Sequence, residues 1–210
     1  MSAKEEILGR IRSALSDAPV AEETPREYRT SSQMSEEELI EMLVDRLVDY
    51  KAGVEVIDNA QIPEFVAAKL KDANSVVFPH GLDQQWLADL PQGVAQIADA
   101  PGSRLTVAEL DETSAVVTSS QVTIAESGTI ILDGEPNQGR RAISLVPDHH
   151  LCIVPVSSIV QLLPEAMPRL TITRPLTWIS GPSATSDIEL ERVEGVHGPR
   201  TLDVLLVRGL

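Results

Sequence analysis

The sequence Val54-Glu55-Val56-Ile57 is a short apolar run of the kind that forms buried strands. Two further runs of this kind follow, Ser75-Val76-Val77-Phe78 and residues 94–97. Pro79 closes the second of them, since proline cannot continue a central strand. We therefore predict three strands between residues 54 and 97.

Helix-like segments precede and separate these strands. Ser35 and Glu38 form a capping box at the start of a segment with a broad apolar face, and Gly53 is the predicted C-terminal stop. Pro63 is suited to the first turn of a second helix, and residues 83–90 are predicted as a third. Alternating helices and strands indicate an α/β fold with a mostly parallel sheet flanked by helices.

The second half of the chain has shorter elements. The periodicity of residues 156–163 predicts a helix, and residues 138–145 are predicted as a short helix or turn. The remaining apolar runs are predicted as strands, at residues 115–118, 121–124, 128–132, 150–154, 178–179 and 202–207.

The first 34 residues differ from the rest in composition. Ser2 and Glu5 form a capping box, and apolar residues recur at helical spacing up to Leu15. Residues 17–33 are rich in acids, hydroxyls and proline, which is typical of a linker. We predict an N-terminal helix and acidic arm over residues 1–34 and an α/β domain over residues 35–210. The narrow apolar stripe of the first helix must dock on this domain or on a partner.

Composition excludes several classes of function. The formal net charge is −15, whereas nucleic-acid binding requires a basic surface, and aromatic residues make up only 3% of the chain. No apolar run is long enough to cross a bilayer, and no secretory signal follows Met1. We expect a cytoplasmic protein that inserts into no membrane and binds no nucleic acid.

Cys152 is the single cysteine, so the chain can form no internal disulfide and cannot supply the four thiolates of an iron–sulfur cluster. It lies in the apolar run Leu151-Cys152-Ile153-Val154, which predicts a buried, inert thiol.

Glu126 follows an apolar strand and precedes Ser127, Gly128 and Thr129. A carboxylate at such a junction can act as a general base, as a nucleophile or by orienting a substrate hydroxyl. The alternative is a turn-forming acid that accepts hydrogen bonds from nearby backbone amides.

Gly139, Arg140 and Arg141 stand at a predicted helix start. Cations there oppose the helix dipole, so a bound carboxylate or phosphate would explain them. The alternative is a salt bridge to one of the chain's acids.

A loop with glycine, hydroxyls and an acid can form an anion-binding nest of backbone amides, or it can be a plain surface turn. The residues concerned are Gly181, Ser183, Thr185, Ser186 and Asp187. The chain has neither a Walker loop nor a Gly-x-Gly-x-x-Gly motif.

A metal site is one interpretation of the three histidines His149, His150 and His197. Adjacent strand residues point in opposite directions, so His149 and His150 would not chelate one ion together, although Asp148 or His197 could join either of them. We favour structural histidines, and we predict neither a metal nor a cofactor.

Taken together, five motifs in order resemble the lactate utilization protein C family, also called the LUD domain family. They are Ala125-Glu126-Ser127-Gly128-Thr129-Ile130, Gly139-Arg140-Arg141, residues 145–152, residues 181–189, and Gly195-Val196-His197-Gly198-Pro199-Arg200. The chain differs from the expected pattern at His149, where the family has tyrosine.

The resemblance implies a fold like that of the sugar-phosphate isomerases and CoA transferases. It also implies a part in oxidising L-lactate to pyruvate, as the cluster-free component beside two iron–sulfur partner proteins. A small anionic ligand would bind in the loops described above, with His197 and Arg200 among its contacts. By analogy with CoA transferases, Glu126 would be the catalytic residue.

Two alternatives remain open at the level of sequence. The chain could be a stand-alone enzyme, like a CoA transferase or sugar-phosphate isomerase, that uses Glu126. It could also be a non-catalytic assembly subunit that docks through its N-terminal helix.

Overall fold

A computed structural model of the protein describes residues 2–17, 24–25, 27–182, 184–185, 193–194 and 198–210. The helices are α1 Ala3–Ala14, α2 Glu36–Asp49, α3 Ile62–Lys69, α4 Val107–Asp111, α5 Arg141–Leu145 and α6 Leu163–Ala166. The strands are β1 Gly53–Asp58, β2 Ser75–Pro79, β3 Ala95–Asp99, β4 Ala115–Ser119, β5 Val122–Ile124, β6 Thr129–Leu132, β7 His149–Pro155, β8 Ile159–Val160, β9 Thr177–Ile179, β10 Ala184–Thr185, β11 Val193–Glu194 and β12 Thr201–Arg208.

The central sheet has six strands in the order β1-β12-β7-β4-β2-β3, and every pair in it is parallel. This confirms the α/β fold and the parallel sheet predicted from the alternating pattern. Because the strands are parallel, all of their carboxyl ends meet at one edge of the sheet, where the loops after Pro79 and Asp99 lie side by side.

The two faces of the sheet bury alternate residues of its inner strands. Leu151 and Ile153 pack against α3 and the 3₁₀ turn Gln84–Leu87 on one face. Cys152 and Val154 pack against α2 and a second sheet on the other face. This alternation explains why the inner strands are apolar almost throughout, because a strand covered on both faces exposes neither set of side chains.

The second sheet has four strands in the order β8-β5-β6-β9. β8 pairs in parallel with β5, through Thr123–Ile159 and Ile124–Val160. The helix predicted over residues 156–163 is therefore wrong. The β-branched side chains of Ile159 and Val160 suit the strand that β5 pairs with, and the chain becomes helical only at α6.

Two helix starts were predicted correctly, but one helix end was not. Ser2 and Ser35 each cap a helix through a complete capping box, as their spacing to glutamate predicts. Lys51, with φ of 66°, has the left-handed backbone conformation after α2, whereas Gly53 begins β1. Gly53 is needed for space instead, because a Cβ there would lie 2.1 Å from Oδ1 of Asp203.

The N-terminal arm contacts the α/β domain at two acids. Arg29 forms an ion pair with Glu126 at 2.5 Å, and the backbone N–H of Ser32 donates to Oε1 of Glu165 at 2.9 Å. Every residue of α1 is exposed, including Ile7 and Ile11. The division at residue 34 stays a prediction.

Within the described ranges, no helix combines the length and apolar character needed to span a membrane.

Candidate anion-binding site

A cavity of about 640 Å³ opens at the carboxyl edge of the central sheet, beyond β2 and β3. Its walls come from His80 and from parts of residues 99–104, 132–136, 139–144 and 174–177. Loops at this edge of a parallel sheet are the usual place for a ligand, because the strand ends hold them while their side chains remain free. The volume is within the range of sites for small organic ligands.

Arginine dominates the charge of this cavity. Arg104, Arg140, Arg141 and Arg174 line it, whereas the only carboxylates in its described wall are Asp99 and Glu135. The local balance is two positive charges in a chain whose net charge is −15. A concave surface of the opposite sign to the rest of the protein concentrates anions.

Arg140 is held in place by Asp99. Its Nε and Nη2 donate to the two carboxylate oxygens of Asp99 at 2.9 and 2.8 Å, and Nη2 also donates to the carbonyl of Leu105 at 2.5 Å. Burial alone would raise the pKa of Asp99. The hydrogen bonds from Arg140 and Leu105 and the charges of Arg140 and Arg104 outweigh it, so the pKa lies below its ordinary value. The pair joins the end of β3 to the start of α5.

The other three arginines are more available to a ligand. Arg174 forms an ion pair with Glu135, and both side chains are partly exposed. Arg104 and Arg141 are exposed residues of the cavity wall, and neither has a carboxylate within ion-pair distance in the part of the chain that the structure describes. These two guanidinium groups are the uncompensated charges of the cavity.

The loop between β6 and α5 is rigid for identifiable reasons. The backbone N–H of Asp133 donates to Oε1 of Gln138 at 2.6 Å, and Oδ2 of Asp133 accepts the N–H of Thr171 at 3.1 Å. Gly139 has φ of 72°, and a Cβ there would lie 2.5 Å from Cδ1 of Ile143. The local fold therefore requires glycine at this position, and it brings Arg140 and Arg141 to the cavity.

Glu126 lies outside this cavity, at the turn between β5 and β6. Its carboxylate is about half exposed and pairs with Arg29 of the N-terminal arm. Ser127 and Thr129 form a hydroxyl cluster with Ser180, in which Thr129 Oγ1 lies 2.8 Å from Ser127 Oγ and 2.9 Å from Ser180 Oγ. The structure thus separates Glu126 from the arginine residues of the cavity, and its predicted catalytic role stays a prediction.

Gly128 and Gly181 bring two predicted loops onto α2. Gly128 has φ of 60° and packs against Arg46, and Gly181 has φ of 83° and packs against Tyr50. Gly181 also borders a smaller cavity of about 230 Å³, which shares Ser144 with the larger one.

The structure describes only some of the predicted ligand-binding residues between residues 181 and 200. Ser183, Ser186, Asp187 and His197 lie outside the described residues, and Thr185 is described only as part of β10. Arg200 pairs with Asp148 at 3.3 Å on the exposed surface, away from the larger cavity.

The two adjacent histidines face opposite sides of the central sheet, as the strand pattern predicts. His150 is fully buried, with Nε2 2.8 Å from Oγ1 of Thr118, and burial lowers its pKa to about 3. His149 Nε2 lies 2.8 Å from Oδ2 of Asp203, which also pairs with Lys69 at 2.9 Å.

Cys152 is buried as predicted, and burial raises the pKa of its thiol to about 12. The thiol is therefore unreactive at neutral pH.

Comparison with known proteins gives the family. The model of the LUD domain matches residues 33–207. The chain belongs to the LUD domain family. Lactate utilization protein C of Deinococcus radiodurans is 44% identical over 184 residues, which cover 86% of this chain and 84% of that protein. Lactate utilization protein C of Bacillus velezensis is 28% identical over 200 residues, covering 86% and 83%.

A solved structure has the same fold as this LUD domain. It is a DUF162 family protein from Deinococcus radiodurans, 39% identical to this chain, with a TM-score of 0.71. The match covers 83% of this chain and 99% of the solved one.

Several cavity residues of this LUD domain were missed by the sequence analysis. They are His80, Asp99, Arg104, Glu135 and Arg174. His80 and Asp99 stand directly at the ends of β2 and β3, so a search for polar residues after each predicted strand would have found both. Arg104, Glu135 and Arg174 lie in loops that meet only in the folded protein, and no local motif marks them.

Proposed function

We propose that this LUD domain protein takes part in lactate utilization by binding an anion in the arginine-lined cavity. The observation that carries the proposal is the local surplus of two positive charges at the carboxyl edge of the sheet. Guanidinium groups pair well with carboxylates, so Arg104 and Arg141 provide the attraction, while the fixed pair of Arg140 and Asp99 keeps the wall in shape.

The link to lactate comes from the relatives. Two proteins similar to this chain over most of its length carry the name lactate utilization protein C. Lactate and pyruvate are both carboxylates at neutral pH, so each has the chemistry that an arginine-lined cavity attracts. Fold alone would not support this step, because one fold serves many activities.

We further propose that the protein works beside partner proteins that carry iron–sulfur clusters. Oxidation of a 2-hydroxy acid to a 2-oxo acid releases two electrons and two protons, which an acceptor must take up. The single cysteine of this chain is buried in the core, so it is unsuited to ligate a cluster. Cysteine-rich partners would supply that acceptor, and this chain would contribute the anion-binding surface.

The binding step is tested by thermal shift with the full chain and L-lactate or pyruvate. A ligand that binds only the folded state raises the melting temperature as its concentration rises. We expect a saturable shift that Arg141→Gln greatly reduces and Arg12→Gln leaves unchanged, because Arg12 lies on α1 and not in the cavity. A shift of equal size in all three proteins would contradict binding in the cavity.

The cellular role is tested by deleting the gene and measuring growth on L-lactate and on glucose. We expect slower growth on L-lactate only, with recovery on re-expression of the wild-type chain. Affinity purification from lactate-grown cells is expected to recover cysteine-rich proteins, identified by mass spectrometry and by the visible absorption of iron–sulfur clusters. Unchanged growth on L-lactate would overturn the cellular role.

A further inference from the structure

The arginines of the larger cavity differ in how much of their charge is already neutralised. Nε and Nη2 of Arg140 donate hydrogen bonds to Asp99, and Nη2 also donates to the carbonyl of Leu105. Arg174 is paired with Glu135. After these pairs are formed, the charges of Arg104 and Arg141 remain for a ligand.

A monoanion cannot neutralise both remaining charges. Lactate or pyruvate carries one negative charge, so the cavity keeps a surplus positive charge when one of them is bound. A ligand with two negative charges pairs both, and each additional charge-assisted hydrogen bond contributes more than a neutral one. The charge balance of the wall therefore favours a dianion.

The size and lining of the cavity also favour an organic dianion as its ligand. At about 640 Å³ it lies within the range of about 300–1,000 Å³ that encloses drug-sized molecules, which are much larger than a three-carbon acid. The wall also contains apolar residues, which include Ala100, Pro101, Leu132, Pro136 and Pro175. Such a wall fits an organic molecule that combines a carbon skeleton with two negative charges.

We propose that the ligand of this cavity is an organic dianion larger than lactate, with its two negative charges held by Arg104 and Arg141. The proposal rests on the anion-binding function proposed above and narrows its ligand class. A dicarboxylate and a phosphate monoester share the required chemistry, because the guanidinium fork accepts either group. Arg140 acts as a positioning residue, because its pair with Asp99 and Leu105 fixes the loop that carries Arg104.

The experiment is isothermal titration calorimetry on the full chain in a low-salt buffer free of phosphate and citrate. L-Lactate and L-malate form a matched pair, since L-malate is L-lactate with a second carboxylate on its methyl carbon. Glycerol 3-phosphate is compared with uncharged glycerol, which tests whether the phosphate group itself is bound. We expect at least one dianion to bind about tenfold more tightly than L-lactate, the gain expected from one further charge-assisted contact.

The variants Arg104→Gln and Arg141→Gln are each expected to remove most of this preference, so that dianion and monoanion bind with similar affinity. Both side chains are exposed, so neither change should disturb folding, and the melting temperature of each variant checks this. Arg12→Gln is the matched control and is expected to retain the full preference.

The outcomes separate this proposal from the function on which it rests. If L-lactate binds as tightly as both dianions and Arg141→Gln weakens it, the cavity binds anions but the ligand class is wrong. If dianions bind equally well to wild type, Arg104→Gln and Arg141→Gln, they bind elsewhere and the proposal fails. If no probe binds to the wild-type chain, both the ligand class and the anion-binding function are overturned.

Discussion

Arg140 and Asp99 form a two-pronged ion pair, in which Nε and Nη2 of the guanidinium contact the two oxygens of one carboxylate at 2.9 and 2.8 Å. The residues are 41 positions apart in the chain. Asp99 also accepts the N–H of Leu105 at 3.0 Å, so a single carboxylate closes the loop after β3 and joins it to α5. The geometry of the cavity wall depends on this one side chain.

Asp99→Asn is expected to lower the free energy of unfolding by about 2 kcal/mol, because a hydrogen bond to a charged group contributes about 1.5–3 kcal/mol and the Asn amide cannot accept from both nitrogens of Arg140. Urea unfolding followed by circular dichroism measures this. Asp89→Asn is the control, since Asp89 is exposed and makes no hydrogen bond or ion pair within the described residues. Equal stability of the two variants would show that the pair contributes little.

The central sheet was predictable because its signal is local. The four inner strands are mainly apolar on both faces, and capping boxes at Ser2 and Ser35 mark helix starts within a few residues. The error at residues 156–163 has a physical cause. Val156, Ile159, Val160 and Leu163 have helical spacing, but pairing with β5, more than 30 residues earlier, makes Ile159 and Val160 a strand.

The candidate site was predictable only where its residues oppose a local rule. An anionic partner was predicted for Arg140 and Arg141 because two cations at a helix start are unfavourable without one. For Arg140 that partner is Asp99, the salt bridge that was the alternative to a ligand. Arg104 and Arg174 lie in the same cavity wall because the order of the strands brings their loops together, and no local sequence pattern predicts that order.

The buried His150 makes stability depend on pH in a specific window. Its pKa is about 3 in the folded protein against about 6.5 when unfolded, so between these values the unfolded chain binds the extra proton. The contribution of His150 to the free energy of unfolding is therefore fully present above about pH 6.5. It falls by about 1.4 kcal/mol for each pH unit between about 6.5 and about 3.

His150→Gln is expected to remove this slope, since glutamine does not titrate and can still hydrogen bond to Thr118. The measurement is urea unfolding of wild type and variant between about pH 7.5 and about pH 5.5, where the difference in stability should change by about 1.4 kcal/mol. His80→Gln is the control, because His80 is an exposed member of the cavity wall with no buried partner in the described residues. Parallel pH curves for wild type and His150→Gln would contradict the prediction.

Glu165 ties the N-terminal arm to the second sheet. Its Oε1 accepts the N–H of Ser32, and its Oε2 accepts the N–H of Leu162, both at 2.9 Å. Glu165→Gln replaces one of these two oxygens with an NH2 group, which donates and does not accept, so one of the two hydrogen bonds is lost in this geometry. Hydrogen exchange at Ser32 or Leu162 is expected to become several-fold faster, while exchange in β7 stays unchanged. Unaltered exchange at both amides would show that other contacts hold the arm.

Gly53 and Asp203 lie so close that only glycine fits between β1 and β12. A Cβ on residue 53 would lie 2.1 Å from Oδ1 of Asp203, whose carboxylate is already held by Lys69 and His149. Gly53→Ala is therefore expected to lower the free energy of unfolding by about 1–3 kcal/mol, the usual range for overpacking. Urea unfolding at neutral pH measures it.

Gly93→Ala is the matched control for this change. A Cβ on residue 93 meets no atom within 4 Å, and its φ lies outside the left-handed region, so we expect stability to be unchanged or to rise by up to about 1 kcal/mol. The double variant Gly53→Ala/Asp203→Ala is expected to be less destabilised than the sum of its two single variants, because removing the carboxylate makes room for the new methyl group. Additive losses would show that the cost of alanine at residue 53 arises elsewhere than at Asp203.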